Sequence, residues 1–167
     1  LDHFKKFNDK YGHLFGDEIL KYVTSTLRMT FSEQPCSFFR YGGDEFIGAF
    51  SDAAPKEILH LLRKCNYNLL HRPFLSRNKF YRITLSCGIV SFPFDGKTIE
   101  ELIKKADEAM YLSKRYGRNR VILASKIKYL KLLRIFIAIV SIATVCCSLF
   151  ITYIRIIQPV VNRIKDG

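Results

Sequence analysis

Arg40-Tyr41-Gly42-Gly43-Asp44-Glu45-Phe46 is the stretch on which the reading of this chain turns. Two adjacent glycines between two aromatic-rich runs predict a tight turn. Ser37-Phe38-Phe39-Arg40-Tyr41 reads as one strand and Phe46-Ile47-Gly48-Ala49-Phe50 as the next. The segment therefore predicts a β-hairpin with two acids at the start of its returning strand. Glycine in such a turn accepts positive φ and leaves the backbone open, so a phosphate can approach without meeting a Cβ. Asp44 and Glu45 add carboxylate oxygens at the same place, the donors a hard cation such as Mg²⁺ shares with substrate phosphates. Side chains alternate across a strand, so one of the two acids is expected to be the main ligand unless the turn distorts the backbone. A solvated acidic turn, with no ligand at all, is the bland reading of the same residues.

Working outward, Asn8-Asp9-Lys10-Tyr11-Gly12-His13 is turn-rich, and the first residues read as a strand-to-helix transition. Asp17 is expected to cap a helix over residues 18–31, where Ile19, Leu20, Val23, Leu27 and Phe31 recur at helical spacing. After Pro55 a second helix carries Ile58, Leu61, Leu62, Cys65 and Leu69 on one face. Residues 71–79 read as a basic loop around Pro73, and residues 80–92 as a strand centred on Ile83, Leu85, Cys87 and Ile89. Phe92-Pro93-Phe94-Asp95-Gly96 is a turn. Thr98 and Glu101 form a capping box for a helix over 99–115, which Gly117 ends. Val121-Ile122-Leu123 is a last short strand. Interleaved strands and helices predict an α/β or α+β domain with a central sheet.

Residues 125–167 differ in kind. Ile135 to Ile154 contains no charged side chain and lies between Arg134 and Arg155. Twenty helical residues rise about 30 Å, the thickness of a hydrocarbon core. Ser141, Thr144, Ser148 and Thr152 are small polar residues that membrane helices tolerate. The expected organisation is a domain over 1–124, a basic juxtamembrane linker over 125–134, a transmembrane helix over 135–154 and a short basic tail over 155–167. Lys126, Lys128, Lys131 and Arg134 precede the span, and Arg155, Arg163 and Lys165 follow it, a slight excess that favours a cytoplasmic location for the first side. The tail faintly resembles the opening of a HAMP signalling linker, which points the other way.

The formal charge of +12 arises from 27 basic and 15 acidic residues. It divides evenly between residues 1–124, with 20 basic and 14 acidic, and residues 125–167, with 7 and 1. The tail's charges flank an apolar stretch and suit anionic headgroups. No basic stripe with interleaved aromatics appears, so no nucleic-acid partner is expected. Cys36, Cys65, Cys87, Cys146 and Cys147 are scattered and odd in number, as expected of reduced thiols.

The hairpin motif, taken with its neighbours, resembles the GGDEF family of diguanylate cyclases. Leu1-Asp2-His3-Phe4-Lys5-Lys6-Phe7-Asn8-Asp9-Lys10-Tyr11-Gly12-His13-Leu14-Phe15-Gly16-Asp17 is similar to the family's opening strand end and nucleotide loop. Ser86-Cys87-Gly88-Ile89-Val90 resembles its later core strand. Lys105-Ala106-Asp107-Glu108-Ala109-Met110-Tyr111 and Lys114-Arg115-Tyr116-Gly117-Arg118-Asn119-Arg120 resemble its last helix and exit. The resemblance covers residues 1–124.

It implies an α+β sandwich like the palm of nucleotide cyclases and polymerases, with a central, mainly antiparallel sheet. It implies that Asn8 and Asp17 read the guanine edge of GTP, whose donors and acceptors an amide and a carboxylate complement. Gly42 and Gly43 would lie against the phosphates, and Lys114 and Arg118 would hold the terminal ones. Asp44 and Glu45 would be catalytic and, with the backbone carbonyl of Leu1, would bind Mg²⁺ or Mn²⁺. The implied reaction condenses two GTP into cyclic di-GMP across a homodimer. The family places a further metal-binding Asp just before the position of Leu1. The chain opens without it, so this resembles an N-terminally truncated domain expected to bind GTP poorly and turn over little as it stands. Glu33-Gln34-Pro35-Cys36 occupies the positions of the family's inhibitory Arg-x-x-Asp, so no inhibitory product site is expected. The full-length protein is expected to be an active cyclase of the inner (cytoplasmic) membrane, anchored in lipid through 135–154 with its domain facing the cytoplasm. The alternative is a non-catalytic GTP-binding regulatory module of a membrane signalling protein.

Overall fold

In the computed structural model, the described residues are 1–127, 129, 132, 133 and 135–145. They fall into two units, Leu1–Lys126 and the residues from Ile127 onward.

The first unit opens with helix α1 (Phe4–Tyr11), turns at Gly12 and continues into α2 (His13–Thr30). Residues 8–11, expected in a turn, are thus helical. Phe4, Phe7 and Tyr11 share one face of α1 and pack against the core, which outweighs the turn preference of Asn8 and Asp9. The turn itself is confined to Gly12, at φ 87°, whose N–H donates to the Asn8 carbonyl at 2.8 Å. Asp17 does not cap the following helix. That helix begins four residues earlier, because Phe15 and Gly16 are buried and extend the apolar stripe of Ile19, Leu20, Val23 and Leu27.

Strands β1 (Cys36–Gly42) and β2 (Glu45–Phe50) form the expected antiparallel hairpin, with Gly42 opposite Glu45 and a register shift between Arg40 and Gly42. Helix α3 (Pro55–His71) buries Ile58, Cys65, Asn66 and Leu69. The expected loop over 71–79 is instead part of a second hairpin, β3 (Phe74–Ser76) and β4 (Lys79–Tyr81). Its tip, Arg77 and Asn78, holds positive φ of 51° and 58°, the geometry of a two-residue hairpin turn. Phe74 and Tyr81 seat it on Phe15, forming an aromatic cluster with Phe7 and Tyr11.

The strand expected over 80–92 shrinks to β5 (Ser86–Ile89). The Asn66 carboxamide takes the place of a neighbouring strand just before it. Asn66 Oδ1 accepts from Leu85 N and Asn66 Nδ2 donates to Leu85 O, both at 2.9 Å. β5 pairs in parallel with β6 (Arg120–Leu123), which follows helix α4 (Ile99–Arg115). Thr98 caps α4 as expected, accepting from Glu101 N at 3.3 Å, and Gly117 follows its end at φ 107°. Gly88 lets α4 lie close on β5: a Cβ there would overlap the Ala106 carbonyl and stand 2.8 Å from Met110 N. The α/β class stands, but the sheet is mixed. Among the described residues the strands form three pairs, two antiparallel and one parallel, rather than one mainly antiparallel sheet.

In the second unit, residues 135–145 are helical and carry exposed Ile135, Phe136, Ile137, Ile139 and Ile142. Among the described residues no helix is long and apolar enough to cross a membrane. The remainder of the expected span, residues 146–154, and the tail over 155–167 lie outside the described residues.

Candidate active site

An open cleft of about 340 Å³ lies at the start of α1. Residues 1–3 lead into α1, the β1–β2 turn brings Asp44 alongside, the last turn of α4 contributes Lys114 and the corner after it Arg118. Four of the sequence candidates, Leu1, Asp44, Lys114 and Arg118, therefore meet there although they span most of the first unit. The same cleft is lined by Lys5, Lys6 and Asp9.

Lys5 and Lys6 were not among the sequence candidates, and a signal for them existed. They occupy the first turn of α1, where the helix dipole disfavours cations. His3, the residue before that turn, is left-handed at φ 60° and supplies no side-chain cap. The first amides of α1 and two lysines thus converge on one place, an arrangement suited to an anion. Among the described residues no lysine or arginine side chain forms an ion pair. Lys5, Lys6, Lys114 and Arg118 consequently face the cleft without acidic partners.

The hairpin tip is open. Neither Gly42 nor Gly43 has any atom within 4 Å of where a Cβ would stand, and Gly43 is at φ 46°. Arg40 Nε donates to the Gly43 carbonyl at 2.9 Å and pins the turn. The two acids part as strand alternation requires. Asp44 turns into the cleft, while Glu45 is exposed on β2 and outside it. Asp44 beside the Leu1 backbone offers oxygen donors that fit Mg²⁺, which takes one or two protein ligands and completes its shell with phosphates and water. Among the described residues no group of three or more His, Cys, Asp or Glu forms a larger metal centre.

Asn8 and Asp17 lie outside this cleft but close to each other, at the α1–α2 corner. Gly16, the residue before Asp17, packs on the Asn8 carboxamide: a Cβ there would overlap Asn8 Oδ1 and stand 3.0 Å from Asn8 Cγ. Asn8 Oδ1 is buried and has no hydrogen-bond partner among the described residues. An orphaned buried acceptor is costly unless a ligand donor meets it. Asp17 is exposed beside it.

Asp2 also lines the cleft, and its carboxylate is tied into a buried polar network. Its carboxylate accepts from Thr84 Oγ1 and Ser86 Oγ at 2.7 Å and from Asn119 N at 3.1 Å. The sequence offered no signal for this network, because its partners lie more than eighty residues away.

Residues 1–120 match the family described as "Diguanylate cyclase, GGDEF domain". The chain is 31% identical over 124 residues to diguanylate cyclase A of Treponema denticola, covering 74% of this chain and 33% of that protein. It is 34% identical over 126 residues to the response regulator PleD of Caulobacter vibrioides, covering 73% and 27%. The chain thus spans a third or less of the length of these relatives. The fold is similar to that of the GGDEF domain of DgcB from Caulobacter crescentus, solved in complex with c-di-GMP. The TM-score is 0.67 at 35% identity, covering 74% of this chain and 73% of that one. With the motif, the cleft and the fold in agreement, the chain belongs to the GGDEF domain family of diguanylate cyclases.

Proposed function

We propose that residues 1–124 are the catalytic domain of a membrane-anchored diguanylate cyclase, joining two GTP into cyclic di-GMP and releasing two pyrophosphates. The observation that carries this reading is the cleft itself. Lys5, Lys6, Lys114 and Arg118, none of them in an ion pair among the described residues, surround the start of α1 beside the carboxylates of Asp2, Asp9 and Asp44. That is a triphosphate site beside a metal ligand. Asn8, with its orphaned acceptor, and Asp17 supply the base end of the same nucleotide site. The activity carried by the names of the relatives supports the same chemistry.

Lys114 and Arg118 hold the terminal phosphates, and Lys5 and Lys6 add charge where the helix amides already favour an anion. The open backbone at Gly42 and Gly43 lets the phosphates lie against the turn. Asp44 and the Leu1 carbonyl would hold Mg²⁺ or Mn²⁺; Glu45, expected as a second ligand, lies outside the cleft. When bound, the ion neutralises charge on the phosphoryl oxygens and lowers the pKa of the attacking hydroxyl. Each domain of a homodimer presents one GTP. The 3′-hydroxyl of one nucleotide gives its proton to water and its oxygen bonds to the α-phosphorus of the other, while the bond to the bridging oxygen of the β-phosphate breaks and pyrophosphate leaves with the electron pair. A second, reciprocal transfer closes the ring. Alignment of two bound substrates supplies much of the acceleration.

The membrane anchor is the uncharged apolar stretch 135–154, preceded by the basic linker 125–134 and followed by the tail 155–167. The exposed apolar side chains of residues 135–142 support lipid contact there. The domain would face the cytoplasm, where GTP is. The test is product formation by the protein with its natural flanking sequence, incubated with GTP and Mg²⁺ and read by mass spectrometry. Folded, dimeric protein that binds GTP and yields no cyclic di-GMP would reduce the reading to a non-catalytic GTP module.

A further inference from the structure

We propose that Asp2 is a positioning residue that sets the phosphate grip of Arg118, an inference that rests on Arg118 holding phosphate as proposed above. Asp2 is 3% exposed, and its carboxylate makes no ion pair among the described residues. Its three donors are neutral: two hydroxyls and one backbone amide. A buried carboxylate persists only where its hydrogen bonds are made.

Those bonds join three segments of the chain. On its own segment Asp2 stands between Leu1, which meets Asp44, and His3, which opens α1. Its backbone N–H donates to the Thr84 carbonyl at 3.0 Å, and its carboxylate reaches Thr84 and Ser86 at the start of β5. The third bond takes the amide of Asn119. Arg118 and Asn119 are consecutive left-handed residues, at φ 62° and 48°, in the corner between α4 and β6. Arg118 N donates to the Ser113 carbonyl at 3.0 Å. The backbone that carries the Arg118 side chain is therefore held from behind by α4 and from the front by Asp2. One carboxylate fixes the distance between the metal side of the cleft and its phosphate side.

The donor chemistry separates two variants. A hydroxyl can accept as well as donate, but the Asn119 N–H can only donate. An asparagine at position 2 can keep its oxygen on Thr84 and Asn119 and donate its NH₂ to Ser86, whose hydroxyl turns round. Alanine loses all three bonds. The experiment uses the protein with its natural flanking sequence and titrates inorganic pyrophosphate and GTP by calorimetry, beside turnover where present. Asp2→Ala is expected to weaken pyrophosphate affinity about 10- to 100-fold and to raise KM for GTP more than it lowers kcat. Asp2→Asn is expected to recover most of that loss. In the cycle with Arg118→Ala, the double variant is expected to bind pyrophosphate no more weakly than Arg118→Ala alone. If Asp2→Ala fails to fold, Thr84→Val takes its place, removing one hydroxyl, with about a 3- to 10-fold loss expected. Unchanged pyrophosphate affinity in the folded variant, or additive losses in the cycle, would overturn the proposal alone. Wild-type protein that binds neither pyrophosphate nor GTP would overturn the phosphate site and this proposal together.

Discussion

Substitution of Gly16 by alanine separates guanine recognition from folding. The added Cβ would overlap Asn8 Oδ1 and stand 3.0 Å from Asn8 Cγ and 3.1 Å from Phe4 Cζ. The atom most strongly displaced is the end of a side chain that can rotate. Swinging the Asn8 amide out of its well costs about 0.5–1.5 kcal/mol. Alanine in place of glycine in a helix returns about 0.8–1.0 kcal/mol. Net stability should therefore stay within about 1 kcal/mol of wild type. Binding should not. A buried acceptor moved from its ligand donor forfeits about 1–3 kcal/mol, a loss of roughly 5- to 150-fold in GTP affinity. Urea melts report the first quantity, and competition of GTP against ATP for a fluorescent nucleotide reports the second. Asn8→Ala provides the control, because the double variant should bind GTP no worse than Asn8→Ala alone. A folded Gly16→Ala protein with unchanged preference for GTP over ATP would refute the assignment of Asn8 to the base.

Gly88→Ala should act in the opposite way, on stability. Its Cβ meets the backbone of α4 rather than a side-chain end, and overpacking of this kind costs about 1–3 kcal/mol, read as a lower urea midpoint. Lys114→Ala and Arg118→Ala should each raise KM for GTP about tenfold or more with unchanged melting, and the effect should shrink as salt rises. Burial pushes the Cys65 thiol up to about 11 and the Cys87 thiol up to about 12, from an ordinary value near 9. A raised thiol pKa keeps both protonated through neutral pH and cuts the thiolate fraction at pH 8 roughly 100-fold or more. Peptide mapping after iodoacetamide should find both unmodified in native protein and modified in urea. Stability tied to these thiols is fully present below pH 9 and lost as pH rises from there through 11–12, because the unfolded chain ionises first.

Much of the fold is written in local signals. Gly42-Gly43 between two aromatic runs marks the first hairpin, and Thr98 with Glu101 marks the start of α4. Where local and tertiary preferences compete, the local signal misleads. Asn8 and Asp9 favour a turn, yet Phe4, Phe7 and Tyr11 have a core to enter, so the segment is helical. Pro73 and the basic residues around it suggest a loop, but Phe74 and Tyr81 anchor a hairpin on Phe15. Asp17 looks like a cap because the apolar stripe is plain only from Ile19; Phe15 and Gly16 extend it upstream. In the site, Lys114, Arg118 and Asp44 are legible through the family motifs. Gly16 and Asp2 are not, because their importance lies in contacts. Gly16 matters for the space it leaves to Asn8, and Asp2 for a bond to Asn119 across 117 positions of sequence.

Cyclase activity is read most directly by ³¹P NMR of the protein, with its natural flanking sequence, incubated with GTP and Mg²⁺. Condensation of two GTP gives loss of the triphosphate signals with two pyrophosphates appearing for each cyclic di-GMP, and no such products from ATP. Release of orthophosphate with GDP, or intact GTP in the presence of folded, dimeric protein, would contradict it.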